Sequence, residues 1–220
     1  MGDWMVKKKQ VKSKKRVVEH GEVFTAEREV KAMCDLVKSE TERIESRFLE
    51  PACGDGNFLS EILNRKLDVV FNRYGKSIAE YERYSILAVS SLYGVDILED
   101  NAKECRERLY NIWNERYIKL WKSQIDKRVQ IAAKFIISKN ILYGDALTMK
   151  KNDGEPIVFS EWSLVTGDKI KRRDYQLYEL LDGQEGNMSL FWDYDEETSA
   201  YIPPAIKDYP IVNYREVING

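Results

Sequence analysis

The sequence contains a single histidine, His20, and only three cysteines, Cys34, Cys53 and Cys105. One histidine excludes most sites in which histidine activates a serine or cysteine, and every metal site built from several histidines. The odd number and wide spacing of the cysteines fit neither a disulfide framework nor a zinc cluster. No run of about 18 apolar residues occurs, and no apolar stretch follows the basic N-terminus as in a secretory signal. We therefore expect a cytoplasmic protein without a bound metal or membrane contact.

The composition suits one α/β domain with polar ends. Of the 220 residues, 43% are hydrophobic, which is enough for a core, and 33% are charged, which predicts much exposed helix surface. The net charge of -2 hides a basic run over residues 7–16 and an acidic run over residues 193–197. We predict a disordered basic arm over residues 1–16, a folded domain over residues 17–166 and a loosely structured extension over residues 167–220.

Apolar periodicity predicts alternating helices and strands. Helical spacing of apolar residues indicates helices over residues 27–37, 57–70, 77–91, 99–124 and 126–138, whereas short apolar runs indicate strands at 47–50, 93–97, 140–143 and 156–159. Such alternation is typical of a mostly parallel sheet that helices cover on both faces.

A glycine loop lies between the first strand and the helix that follows it. Residues 49–58 read Leu-Glu-Pro-Ala-Cys-Gly-Asp-Gly-Asn-Phe, at the place where open α/β sheets bind ligands. Gly54 and Gly56 allow a sharp turn and a close approach of the backbone to a ligand. The third glycine of a nicotinamide-cofactor loop is replaced by Leu59. Glu50, at the start of the loop, suits the ammonium group of an amino acid better than a pyrophosphate.

Four segments in this order resemble motifs of the DNA adenine methyltransferases of bacterial restriction–modification systems. Residues 50–58 resemble the first motif of that family, and residues 21–25, Gly-Glu-Val-Phe-Thr, resemble its upstream Phe-Thr-Pro motif, with Ala26 in place of the proline. Residues 93–97 resemble the second motif, and residues 140–147 the third. The resemblance implies a Rossmann-like methyltransferase sheet, S-adenosyl-L-methionine as cofactor and DNA as partner.

Each motif supplies residue types that suit one part of this cofactor. Glu50 is expected to hold the methionine ammonium, Asp96 the ribose hydroxyls and Asp145 the adenine amino group, while Phe24 and Ile97 offer apolar faces to the purine. The alternative for Asp96 and Asp145 is that they merely cap the helices that follow them. The complete predicted cofactor site comprises Phe24, Thr25, Glu50, Pro51, Ala52, Cys53, Gly54, Asp55, Gly56, Asn57, Phe58, Asp96, Ile97, Asp145 and Ala146.

The catalytic tetrapeptide of the family has no counterpart in this chain. In the family, an Asn or Asp, two prolines and an aromatic residue follow the fourth strand, where they accept the N–H bonds of the target adenine and stack on the flipped base. Here the corresponding residues are Ser160, Glu161 and Trp162. Glu161 as acceptor and Trp162 as stacking ring are therefore the candidate catalytic residues, but without the rigid prolines. The one Pro-Pro pair, at residues 203–204, lies between Ile202 and Ala205, which offer neither an acceptor nor a ring.

Three functional hypotheses remain open. The chain is an adenine methyltransferase that uses Glu161 and Trp162, or the cofactor-binding half of a split methyltransferase whose partner subunit supplies the tetrapeptide and the recognition of DNA. In the third hypothesis it is a non-catalytic subunit of a defence system that binds the cofactor as a sensor or scaffold. DNA phosphates could meet the basic arm, or the cluster formed by Lys169, Lys171, Arg172 and Arg173.

Overall fold

The computed structural model describes residues 12–20, 22–182 and 204–219. Helices account for 55% of these residues. The helices are α1 (Lys14–His20), α2 (Glu27–Leu36), α3 (Lys38–Thr41), α4 (Asn57–Tyr74), α5 (Ile78–Ser90), α6 (Glu99–Trp121), α7 (Lys127–Asn140) and α8 (Leu177–Asp182), with 3-10 turns at Lys122–Gln124 and Tyr214–Asn219. The strands are β1 (Phe48–Glu50), β2 (Leu92–Asp96), β3 (Ile141–Tyr143), β4 (Val158–Leu164), β5 (Lys169–Gln176), β6 (Lys207–Asp208) and β7 (Val212–Asn213).

The three strands that carry the motif-like segments, β1, β2 and β3, form a short parallel sheet. Their spatial order is β1, β2, β3, so β2 lies in the middle. Glu50 lies opposite Gly94, and Asp96 lies opposite Tyr143. The carboxyl ends of all three strands therefore meet at one edge, as the sequence predicts for its motifs.

The long helices all pack on one face of this sheet. Phe48, Leu92 and Ile141 belong to the main hydrophobic core together with residues of α2, α4, α5, α6 and α7. The connections from β1 to β2 and from β2 to β3 both advance in the same direction along the sheet. Two right-handed connections of this kind place their helices on the same face of the sheet. Covering the other face with helices would require the chain to return past β1. Among residues 12–20, 22–182 and 204–219 it does not, so the prediction of helices that cover both faces is wrong, and only the short helix α8 contacts the other face.

The opposite face of the sheet has a separate, smaller core. Tyr93 and Val95 of β2 pack there with Ile157, Phe159 and Leu177. These last three residues come from the segment that follows β3, from β4 and from α8. A short irregular segment, one strand and the six-residue helix α8 thus take the place of the expected second layer of helices.

The expected Rossmann-like, mostly parallel sheet is also wrong, because β4 does not join the parallel strands. It pairs antiparallel with β5, from Val158 opposite Gln176 to Leu164 opposite Ile170, and β6 and β7 extend this second sheet. Four residues, 165–168, connect β4 to β5. So short a connection permits only an antiparallel pair, since a parallel crossover needs a dozen residues or more. The fold is a helix-rich α/β fold with two separate sheets.

The described parts of the predicted arm and of the predicted extension contain regular structure that the sequence analysis did not predict. Residues 1–11 of the predicted arm lie outside the described residues, but Lys14–His20 is helical. In the predicted extension, residues 183–203 lie outside the described residues, whereas Lys169–Gln176 is a strand. Near the C-terminus, Tyr214 and Val217 are buried in the main core.

Within residues 12–20, 22–182 and 204–219, no helix combines the length and the apolar character needed to cross a membrane.

Candidate functional site

Glu50 and Asp96 lie side by side at the carboxyl edge of the parallel sheet. Each is the last residue of its strand, and the register places both side chains on the face where the long helices pack. The backbone N–H of Gly144 donates to the carbonyl of Asp96 over 3.0 Å, which brings the segment after β3 to the same edge. Asp145 begins a turn there, which closes through hydrogen bonds between the backbones of Asp145 and Lys150.

The glycine loop folds back onto β2. The N–H of Cys53 donates to the carbonyl of Val95 over 2.9 Å, and the N–H of Gly54 donates to Oδ2 of Asp96 over 2.8 Å. Gly54 and Gly56 have φ angles of +53° and +84°, a region that other residues rarely adopt. A Cβ atom on Gly56 would lie 2.7 Å from Sγ of Cys105 in α6, so only glycine allows this approach.

Phe24 and Thr25 contact the glycine loop and the first residue of the helix that follows it. The buried ring of Phe24 would lie 3.1 Å from a Cβ atom on Gly54, so the ring rests directly on the loop. The carbonyl of Thr25 accepts a hydrogen bond of 3.4 Å from Nδ2 of Asn57, the first residue of α4. Each of the four segments that resemble the family's motifs therefore contacts at least one other, although 114 residues separate the first segment from the last in the sequence.

Glu50 carries a buried oxygen without a partner. Its Oε2 atom has no hydrogen-bond partner among the described residues. Burial raises the pKa of Glu50 to about 8, and the nearby carboxylates of Asp96 and Asp55 add to this rise. A carboxylate is stable here only next to a positive charge. The position therefore suits a cationic group of a ligand.

Asp96 is buried, and the described residues that donate hydrogen bonds to its carboxylate are all neutral. Besides the N–H of Gly54, the N–H of Leu98 donates to Oδ1 over 2.9 Å and Nδ2 of Asn101 donates to the same atom over 3.2 Å. A carboxylate offers about four acceptor positions, so one position on Oδ2 remains for a ligand. Asp96 is not a simple helix cap, because the N-cap residue of α6 is Leu98.

Asp145 has a local partner and a free oxygen position. The N–H of Leu147 donates to its Oδ1 atom over 2.8 Å, which stabilises the turn that follows β3. Leu147 itself is almost fully exposed, and Ile97 after β2 is 53% exposed. Two apolar side chains thus remain accessible next to the acidic edge, as a purine-binding surface requires.

Several residues of the predicted site serve the loop itself. Asp55 forms an ion pair with Arg108 of α6 at 2.5 Å. The thiol of Cys53 is buried beside Cys105, and this contact, together with burial, raises the pKa of Cys53. These side chains hold the loop against α6.

The other predicted residues divide between the surface and the cores. Pro51 and Ala52 are exposed at the turn after β1. Phe58 packs against the main core, and Ala146 packs against the smaller one.

The two candidate catalytic residues are engaged in the second sheet. Glu161 is buried and forms ion pairs with Arg47 at 2.5 Å and with Arg173 at 3.0 Å. Trp162 is buried in the main core, where its Nε1 atom donates to Oδ1 of Asn140 over 3.3 Å. Neither side chain presents a free acceptor or an open ring face to a base.

Most of the predicted basic cluster is neutralised within the chain. Lys171 pairs with Asp208 at 2.9 Å, and Arg172 pairs with Asp174 at 2.9 Å. Since Arg173 pairs with Glu161, a phosphate would have to compete with three existing ion pairs in this cluster.

Sequence reasoning missed the residues that surround Asp96 from the N-terminal side. Arg16, Glu22 and Asn101 form a hydrogen-bonded group with Asp96, and Asn101 is only 1% exposed. No periodicity or spacing marks them, because residues distant in sequence supply the contacts. The basic run over residues 7–16 was the one available signal, and it indicated a disordered arm instead.

Comparisons of the chain with protein-family models, curated proteins and solved structures find no match.

Proposed function

We propose that this chain binds S-adenosyl-L-methionine at the carboxyl edge of β1, β2 and β3, as the cofactor-binding component of a DNA adenine methyltransferase. The observation that carries the proposal is the buried, unpartnered Oε2 atom of Glu50 next to the glycine loop. The four motif-like segments, which the fold brings together around that atom, support the same proposal.

The charges at this edge complement the cofactor. S-adenosyl-L-methionine carries a sulfonium and an ammonium group, and neither Glu50 nor Asp96 forms an ion pair with a described cation. Glu50 would hold the ammonium group, and the remaining position on Asp96 would accept a ribose hydroxyl. Asp145 would accept from the adenine amino group, with Ile97 against the purine. When bound, the cofactor supplies an electrophilic methyl group.

Methyl transfer by the chain alone is not supported by the contacts of Glu161 and Trp162. Moving Glu161 toward a base would leave Arg47 and Arg173 without their carboxylate, and moving Trp162 would open the main core. We therefore favour the split arrangement, in which a partner subunit grips the target adenine, over a self-sufficient enzyme. A non-catalytic cofactor-binding subunit is the second candidate, because the cofactor site does not itself require transfer.

Titration calorimetry with S-adenosylhomocysteine and S-adenosylmethionine tests the binding. We expect a dissociation constant in the micromolar range, about -8 kcal/mol. Asp96→Asn should weaken it by about 1.5–3 kcal/mol, because a charged acceptor is lost. Asp68→Asn is the matched control, since Asp68 is a solvent-exposed acid that pairs with Arg116. Absence of binding by the folded wild-type chain would refute the proposal.

Transfer of a labelled methyl group to duplex DNA separates the remaining alternatives. We expect no transfer by the purified chain and measurable transfer once the products of its neighbouring genes are added. Transfer by the chain alone that disappears in Glu161→Gln would show a self-sufficient enzyme. Binding of cofactor without transfer under both conditions would favour the non-catalytic subunit.

A further inference from the structure

Asn101 connects Asp96 to the basic N-terminal segment of the chain. Its Nδ2 atom donates to Oε1 of Glu22 over 2.7 Å and to Oδ1 of Asp96 over 3.2 Å. Its Oδ1 atom accepts from Nζ of Lys12 over 2.8 Å and from Nη2 of Arg16 over 3.1 Å. Two cations thus lie on the oxygen side of this amide, and two carboxylates lie on its nitrogen side.

This distribution of charge leaves the amide with one stable orientation. Turning it over would place the oxygen against two carboxylates and the NH₂ group against two cations. Since all four hydrogen-bonding positions of the buried amide are filled, rotation would also leave donors and acceptors unsatisfied. Asn101 therefore directs an N–H bond at Oδ1 of Asp96 in every low-energy arrangement.

Arg16 holds the other members of the group in place. Its guanidinium contacts both oxygens of Glu22, each at 2.7 Å, and contacts Oδ2 of Asp100 at 2.5 Å. This pairing lowers the pKa of Asp100 to about 2. Lys12 adds a second link to α6 through Glu104 at 2.8 Å. The N-terminal segment is thus fixed to the first turns of α6, directly behind Asp96.

We infer that Asn101 is a positioning residue for recognition of the cofactor's ribose, and that Arg16 and Lys12 set its orientation from the N-terminal segment. Asn101 and Leu98 donate hydrogen bonds to Oδ1 of Asp96, and Gly54 donates one to Oδ2. These three bonds fix the carboxylate, so its one open acceptor position points in a fixed direction. The ribose hydroxyl meets an acceptor that needs no reorientation, which favours tight binding. This inference rests on the proposed function.

The test compares S-adenosylhomocysteine with its 2′,3′-dideoxyribose analogue, because only the first ligand offers hydroxyls to Asp96. We expect the wild-type chain to prefer the hydroxylated ligand about tenfold or more, the scale of a hydrogen bond to a charged group. Asn101→Leu should reduce this preference to less than about threefold. In an Asp96→Asn background, Asn101→Leu should not change the preference further.

Two further variants separate positioning from general loss of structure. Asn140→Leu is the control for Asn101→Leu, since Asn140 is an equally buried asparagine that bonds Ser90 and Trp162 at the opposite end of the sheet. It should retain the preference even if the protein melts earlier. Arg16→Gln removes the cation that orients Asn101 and should reduce the preference. Arg116→Gln should not reduce it, because Arg116 lies farther along α6 and pairs with the exposed Asp68 of α4.

The outcomes of this test are distinguishable. If Asn101→Leu weakens both ligands equally and keeps the wild-type preference, Asn101 is only structural and the inference is wrong. A wild-type chain that binds both ligands without preference would also overturn the inference, while leaving the proposed cofactor site intact. A wild-type chain that binds neither ligand would overturn both proposals.

Discussion

If the chain binds the cofactor as proposed, the raised pKa of Glu50 should make that binding depend on pH. At about 8, this pKa means that the ligand-free side chain is mostly protonated at neutral pH. An ammonium group requires the carboxylate, so binding must release a proton. We expect about one proton to be released at pH 6.5 and the affinity to rise up to tenfold from pH 6 to pH 7. Calorimetry in buffers of different ionisation enthalpy measures the release.

Glu50→Gln should remove this pH dependence of binding, whereas Glu27→Gln, at an exposed carboxylate, should retain it.

The pH dependence of stability offers a second test of the pKa of Glu50. Because its pKa is raised on folding, Glu50 holds a proton in the folded chain that the unfolded chain releases above pH 4.5, so its contribution to stability falls as the pH rises toward 8. The difference in melting temperature between wild type and Glu50→Gln should therefore shift in favour of the variant across this range. An unchanged difference would contradict the assigned pKa.

Individual residues of the site were predictable where local sequence decides their place. Glu50, Gly54 and Asp96 follow strands or form a turn, and such positions can be deduced from apolar runs and glycines. Asn101 and Arg16 were not predictable, because their roles depend on contacts between positions up to 89 residues apart. Charge patterning in the sequence does not indicate which acids a basic residue will meet.

At the scale of elements, the glycine loop should tolerate no side chain at Gly54. Gly54→Ala places a Cβ atom 3.1 Å from the Phe24 ring at a φ of +53°, so the ring or the loop must move. We expect at least a tenfold loss of cofactor affinity with an unchanged far-ultraviolet circular dichroism spectrum. Gly154→Ala is the matched control, because Gly154 also has a positive φ, of +86°, but open space around it. Its backbone strain is similar, at about 1 kcal/mol, and cofactor affinity should not change. Equal affinity losses in the two variants would contradict the role of Gly54.

Five helices, α2 and α4 to α7, and the first three strands were predictable, whereas α1, α3, α8 and the second sheet were not. Helical spacing predicts α4, α5, α6 and α7 to within a few residues, because each buries one apolar face in the main core. The run Lys169–Gln176 contains four basic residues and falls within the predicted loosely structured extension, although its cations pair with neighbouring acids and allow a strand. Because β4 pairs with this unpredicted strand, β5, it does not join the parallel sheet. The wrong prediction of one mostly parallel sheet follows from this pairing.

For the whole molecule, Arg215 joins the C-terminal segment to the helical core. It pairs with the buried Glu82 of α5 at 2.5 Å, with Asp168 at 2.7 Å and with Asp126 at 3.5 Å. Removing it leaves the Glu82 carboxylate without its cation in the core. We expect Arg215→Ala to lower the free energy of unfolding by about 3–5 kcal/mol in urea titrations.

Arg128→Ala serves as the control for Arg215→Ala, because Arg128 is exposed and also pairs with Asp126. A surface pair of this kind contributes up to about 1 kcal/mol. If the two variants lose equal stability, the buried pair with Glu82 is not the cause.

The position of Arg215 near the end of the chain has a consequence for the order of synthesis. Every residue of the candidate site lies between positions 12 and 147, so a ribosome exposes the complete site well before it adds Arg215. A nascent chain can therefore assemble the parallel sheet and its loop before its last contacts with Glu82 exist. Cofactor captured at that stage would stabilise the unfinished domain by mass action while the remaining residues are translated.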